Sequence, residues 1–307
     1  MDDAGADAEG LIAGKSRILS VPSTFSLRET CAPVDWADGR WPQWAWRNDE
    51  FLWAGWSGDI PVWRGARLDP TTGLQIRGDA PRTEDNVWAH TVLGIDHPCP
   101  GFDDRIVNTL RLRYPGLRAF AAGSLFDGLV MSIVGQSITV KAAAVVLRRV
   151  ALLFAQSVGP EGTSLLPVPR PDHFAAADRA ALRATGLTWR RADALIAAGR
   201  TFTDDASLWS GPVSDAEGMV SRLRSLPLVG PWTANATILW GVGAGDVHVS
   251  GDVALLRGAR AAYGQPDWSM RDLDRQSESW RPARAWAARL IWRDLLGGPP
   301  APTIVAR

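Results

Sequence analysis

The feature that most constrains this 307-residue chain is a change of apolar period near Arg82. Before it, FLWAGW (51–56), IPVWRGARL (60–68) and GLQIRG (73–78) are short, aromatic or β-branched, and separated by Gly, Pro and Asp. They read as strands of an antiparallel sheet with tight turns, and LDPTTGLQI reads as a hairpin. After Arg82, EDNVWAHTVLGI, DDRIVNTLRLR and SLFDGLVMSIVGQSITVKAAAVVLRRVALLFA repeat apolar residues every three or four positions, the spacing of one helix face. The last run is too long for one helix. Gly135-Gln136-Ser137 is the expected break, with Ser137 capping the helix that follows. GTSLLPVPRP reads as a Pro-rich loop, and helices are expected at 172–184, 189–200, 215–224, 231–242, 252–262, 270–279 and 283–296. The fold class is therefore α+β: a disordered tail over 1–20, a small N-terminal antiparallel β-rich domain over 21–115, and an all-helical domain over 116–307. Eight of the sixteen tryptophans lie between Trp36 and Trp88, where core and sheet packing is the expected role rather than a ligand cage.

Composition narrows the function classes. Hydrophobic residues make up 46% and charged residues 21%, an ordinary globular balance. No apolar run approaches the ~18 residues of a membrane span, and the first 20 residues lack the basic head of a signal peptide. A cytoplasmic monomer is expected. Cys31 and Cys99 are too few for a four-cysteine zinc or iron–sulfur site, and His90, His97, His173 and His248 show no metal spacing, so no cofactor is expected. The zero net charge hides an asymmetry. Residues 1–117 hold 12 basic against 17 acidic side chains (−5), and residues 118–307 hold 21 against 16 (+5). A polyanion would meet the second part. Lys15 and Lys141 are the only lysines.

Two local features carry chemistry. In LPLVGPWTANATIL (226–239) a Pro/Gly turn opens an apolar helix, with Pro231 in the first turn, where a missing N–H is harmless. The free amides of such a helix start accept an anion without side-chain specificity, and Leu226, Leu228, Gly230 and Thr233 are the candidate contacts to a phosphate. A plain interhelical turn is the alternative. Asp252, in HVSGDVALLRG, follows the helix by a short Gly-rich reversal that returns it toward the turn. It is a helix N-cap by sequence, a catalytic carboxylate by position, or both. Asp246 is the second candidate, as a turn residue.

Taken together, these segments resemble the helix-hairpin-helix DNA glycosylase superfamily, and within it the bacterial 3-methyladenine DNA glycosylase II branch. LPLVGPWTA followed by DVHVSGD is similar to the family's LPGIGxWTA and DVFxxxD, whose last Asp is catalytic. LFDGLVMSIVGQSITVKAA, LRATGLTWRRADAL and WRPARAWAARLIW are similar to three further family segments in the same order. The resemblance implies a catalytic Asp252, a base pocket containing Trp232, Trp292 and Gln136, and Gln136 and Ser137 near the gap left by a flipped nucleotide. Leu228 replaces a hairpin glycine. Ser137 replaces a bulkier wedge, which leaves Ile138 to fill the gap, and Ala236 and Val253 stand at positions that are aromatic in some relatives.

The activity implied is excision of alkylated purines from damaged double-stranded DNA: Asp252 stabilises positive charge on the sugar and orients water. Trp232 stands where the lyase branch carries its Schiff-base lysine, so a monofunctional enzyme is expected. A non-catalytic DNA-binding module, or a glycosylase for an oxidised or deaminated purine, is the alternative.

Overall fold

The computed structural model describes residues 16–298 except 207, 208, 210–212, 214 and 244. Residues 1–15 of the expected tail, with Lys15, lie outside the described residues. Residues 17–19 do not continue that tail: Arg17–Leu19 is strand β1, paired with the sheet through Leu19↔Leu74.

Four more strands, β2 (Trp44–Arg47), β3 (Glu50–Ser57), β4 (Ile60–Asp69) and β5 (Gly73–Gly78), complete an antiparallel sheet of order β1-β5-β4-β3-β2. The three expected strands fall within β3, β4 and β5. Each turn has a visible chemical cause. Asn48 and Asp49 both adopt positive φ between β2 and β3, the backbone of a two-residue hairpin loop. Between β4 and β5, Asp69 Oδ1 accepts from the amides of Thr71 (2.8 Å) and Thr72 (2.9 Å), and the pair Asp69↔Gly73 closes the expected hairpin. Alternation along β3 sends Phe51 and Trp53 into the main core, while Leu52 and Ala54 meet Leu165 in a small second cluster.

The helices follow in chain order. A short α1 (Leu27–Thr30) precedes a 3-10 segment (Ala32–Gly39), and α2 (Asp85–Leu93) and α3 (Arg105–Arg113) match the first two periodic runs. The long run splits into α4 (Leu125–Gly135) and α5 (Val140–Ala151), bent by 119°. The break falls where expected, but the cap does not. Thr139, in an extended conformation, accepts from the Ala142 amide at 3.2 Å; Ser137 is held at φ 54, where an N-cap cannot operate. Then come α6 (Pro171–Ala175), α7 (Arg179–Ala184), α8 (Trp189–Asp204), α9 (Ala216–Leu223), α10 (Pro231–Val242), α11 (Val253–Tyr263), α12 (Met270–Ser277) and α13 (Arg284–Leu296). The helix expected at 172–184 is two helices, α6 and α7. No single helix among the described residues is long and apolar enough to cross a membrane.

One contact positions the site. A Cβ on Gly128 of α4 would lie 2.3 Å from Thr237 O and 2.6 Å from Gly241 Cα, so α4 and α10 cross backbone to backbone. α4, buried along almost its whole length, thereby carries α10 and the turn before it. A single continuous apolar cluster runs from Leu19 through the sheet and helices to Trp292. Both cysteines are free thiols, Cys31 buried and Cys99 half-buried.

Candidate active site

The turn predicted around Gly230 joins α9 to α10. Gly230 is the N-cap, Pro231 opens the first turn, and no side chain caps the helix. The first-turn amides of α10 are thus offered outward, and a Cβ at Gly230 would meet nothing within 4 Å. The other expected contacts divide. Leu228 is half-buried with φ 65, a left-handed backbone where the related pattern has glycine. Leu226 is buried and anchors the turn from inside. Thr233 is also buried, because α10 turns it toward α4, and its hydroxyl accepts from Gln136 Nε2 at 2.9 Å. Neither Leu226 nor Thr233 presents a side chain at the surface.

Beside the turn lies a cavity of about 500 Å³, and Asp252 stands on its wall. The carboxylate is the N-cap of α11, with Oδ1 accepting from the Leu255 amide at 2.6 Å, and the cap leaves it on the cavity wall. Burial pushes the Asp252 carboxyl above the usual range. The amides of Leu255 and Ala254, the Trp292 indole and His248 pull it partly back.

Six tryptophans line the cavity. Trp232 and Trp292, expected in a base pocket, both line it. Trp240 stacks on Trp292 with ring centroids 5.3 Å apart, and Trp36 meets Trp240 (5.2 Å) and Trp292 (5.7 Å) edge-on. Trp41 and Trp44 complete the wall. Trp36, Trp41 and Trp44 serve the expected packing, Trp41 and Trp44 within the buried core and Trp36 against it, and they also line the cavity that holds Asp252. The 3-10 segment and β2 deliver them across from α10 and α13, a juxtaposition that no local spacing encodes. Arg289, buried on α13, stands 5.1 Å over the Trp240 ring and donates to Leu239 O; burial without a carboxylate lowers its pKa to about 9.

Gln136 is not on this wall. Its side-chain nitrogen donates to Leu228 O (2.9 Å) and Thr233 Oγ1 (2.9 Å), which ties it to the turn instead. The rim of the cavity includes Ile138 (38% exposed) and Val253 (74% exposed), two apolar side chains open to solvent beside the carboxylate. Ser137 is exposed beside them. Arg257, one turn along α11 from Asp252, also lines the cavity, is exposed, and bonds to no described residue. It carried no signal in the sequence, since an Arg on a helix is ordinarily a solvated side chain. Asp246 does not compete with Asp252: it accepts from Arg281 Nη1 (2.8 Å) and Arg284 Nε (2.8 Å) and joins the loop to α13. His248 holds Asp274 at 2.8 Å. Among the described residues no cluster of His, Cys, Asp and Glu could hold a metal ion.

The overall fold that carries this site is also seen in solved DNA glycosylases. A 3-methyladenine DNA-glycosylase from Archaeoglobus fulgidus superposes with a TM-score of 0.67 at 19% identity, covering 92% of this chain and 97% of that one. An 8-oxoguanine glycosylase/lyase of Clostridium acetobutylicum, solved with DNA, gives 0.66 at 12% identity, covering 92% and 97%. The fold is that of the helix-hairpin-helix DNA glycosylases. In sequence, the chain is homologous to DNA-3-methyladenine glycosylase 2 of Escherichia coli, 32% identical over 178 residues. That match spans 58% of this chain and 60% of the length of the curated relative. No family model matches the chain.

Proposed function

We propose that this protein is a monofunctional DNA glycosylase that releases alkylated purines, such as 3-methyladenine and 7-methylguanine, from double-stranded DNA, acting as a cytoplasmic monomer. The observation that carries the reading is Asp252, a half-buried carboxylate on the wall of a cavity of about 500 Å³ that six tryptophans line. That volume suits a purine, for ligand pockets run from roughly 300 to 1,000 Å³. An alkylated purine is cationic, and indole faces attract cations through the ring quadrupole.

The geometry supports a division of labour. Phosphate contacts at the start of α10 hold the strand, and Trp232, in the first turn of the same helix, belongs to the cavity wall. Backbone grip and base pocket are therefore one turn apart, which suits a nucleotide swung out of the duplex at a cost of a few kcal/mol. As the C1′–N bond breaks, the electron pair leaves with the base and positive charge grows on the sugar. Asp252 stabilises that charge, then accepts a proton from the attacking water. Burial, which raises its pKa, makes it a better base than an exposed aspartate.

The absence of lyase chemistry is part of the proposal. Trp232 cannot form an imine. Lys141 pairs with Asp38 at 2.5 Å and is not on the cavity wall. The test is incubation with methylated duplex DNA, chromatography of released bases, and gel analysis of the strand. Free methylated purine, a strand intact until alkali treatment and no borohydride-trapped adduct are expected. Duplex binding without base release would reduce the protein to a binding module. A trapped adduct abolished by Lys141→Ala would assign it to the lyase branch.

A further inference from the structure

Two non-glycine residues near the site adopt left-handed backbone, Ser137 at φ 54 and Leu228 at φ 65. That region crowds a Cβ against the following carbonyl, so surrounding contacts must hold Leu228 there. The contact is Gln136. Its Nε2 donates to Leu228 O on one limb of the turn and to Thr233 Oγ1 on the other, both at 2.9 Å. Its own carbonyl accepts from Arg191 Nη2 of α8. Between the two anchored points lie Val229, Gly230, Pro231 and Trp232, which span the uncapped start of α10 and one residue of the cavity wall.

We infer that Gln136 is a positioning residue: it holds the strained Leu228 turn in its phosphate-binding shape, and so governs the grip on every duplex rather than filling the gap at a lesion. The inference rests on reading the turn as a phosphate site. With a donor gone, the Leu228 carbonyl loses its partner and the residue is free to leave the left-handed region, carrying the Gly230 amide with it. A glycine at 228 holds that backbone without help. The dependence on Gln136 is thus a consequence of having leucine at this position.

The test is a double-variant cycle on the full chain, reading Kd for undamaged and abasic duplexes by fluorescence anisotropy at one salt concentration. Gln136→Met removes the donor at similar length. In the parent it is expected to weaken both duplexes about tenfold, the equivalent of roughly one lost hydrogen bond. In a Leu228→Gly background the same change is expected to cost less than about threefold, because the strain it relieves is absent. An equal loss in both backgrounds overturns the inference, and so does a loss confined to the abasic duplex, which is the mark of a gap-filling side chain. Should Gln136→Met alone fail to fold, the Leu228→Gly pair decides by the same threefold criterion. If the parent binds duplexes but releases no base, the catalytic reading falls and this inference stands.

Discussion

Trp240 of α10 and Trp292 of α13 stack at 5.3 Å with their planes 23° apart, and Trp36 closes against both from a segment about two hundred residues earlier. The cavity thus depends on three separate parts of the chain, and its aromatic wall is assembled rather than local. If the wall recognises the base, Trp36→Leu should lower kcat/KM on methylated duplex by about ten- to a hundredfold, the worth of one base–aromatic contact. Binding to undamaged duplex should stay near the parent value. Equal losses on both substrates would show that Trp36 serves packing only.

Asp252 combines a desolvated charge with a structural cap. Asparagine caps a helix as well as aspartate does but carries no charge. Asp252→Asn should therefore abolish base release while raising stability by about 1 kcal/mol, the usual scale when a strained functional group is relieved. Urea midpoints and single-turnover base release measure the two effects. Full activity in the Asn variant would remove the catalytic assignment.

The same burial has a consequence for pH. Ionised Asp252 is the working form, and its pKa lies above that of an ordinary aspartate. The acid limb of kcat/KM should fall at higher pH than an exposed carboxylate would give. A limb at or below the ordinary value of 3.8 would mean that the titrating group is not this one.

Arg257 lines the cavity beside Asp252 and has no partner among the described residues. If it meets a backbone phosphate, Arg257→Ala should reduce the slope of log Kobs against log salt by about one and weaken all duplexes alike. Thermal stability should hardly change, as for most exposed positions. An unchanged salt slope would place Arg257 off the DNA path.

Arg289 provides a test of the packing behind the wall. Its folded pKa is lowered to about 9 from 12.5, so between those values the unfolded chain binds more protons than the folded one. Stability then rises with pH in that window. Relative to Arg289→Met, the parent protein should gain stability as pH climbs through about 9. Chemical denaturation at pH 7 and pH 10.5 reads the difference, and a constant gap would show that Arg289 stays protonated in the folded protein throughout this range.

What the sequence determined by itself was whatever a short window encodes. Strands β3 to β5 follow from aromatic and β-branched runs between turn residues, and the Asp69 turn from a carboxylate two and three residues from the amides it accepts. The helices follow from three- and four-residue spacing. The uncapped start at Gly230-Pro231 and the N-cap at Asp252 are likewise backbone events decided within a few positions. The rest required the chain to close on itself. Arg17–Leu19 is a strand only because β5 offers an edge, 57 residues on. Thr139 replaced Ser137 as cap because the bend after α4 placed Ser137 in left-handed space. Trp36, Trp41 and Trp44 became a cavity wall, and Gln136 left the pocket for a carbonyl 92 residues away, because α4 and α10 meet at Gly128 and Gly241. Local propensities act between neighbours in sequence, whereas the cavity is shaped by which buried surfaces fit together, and that was settled only when the whole chain had packed.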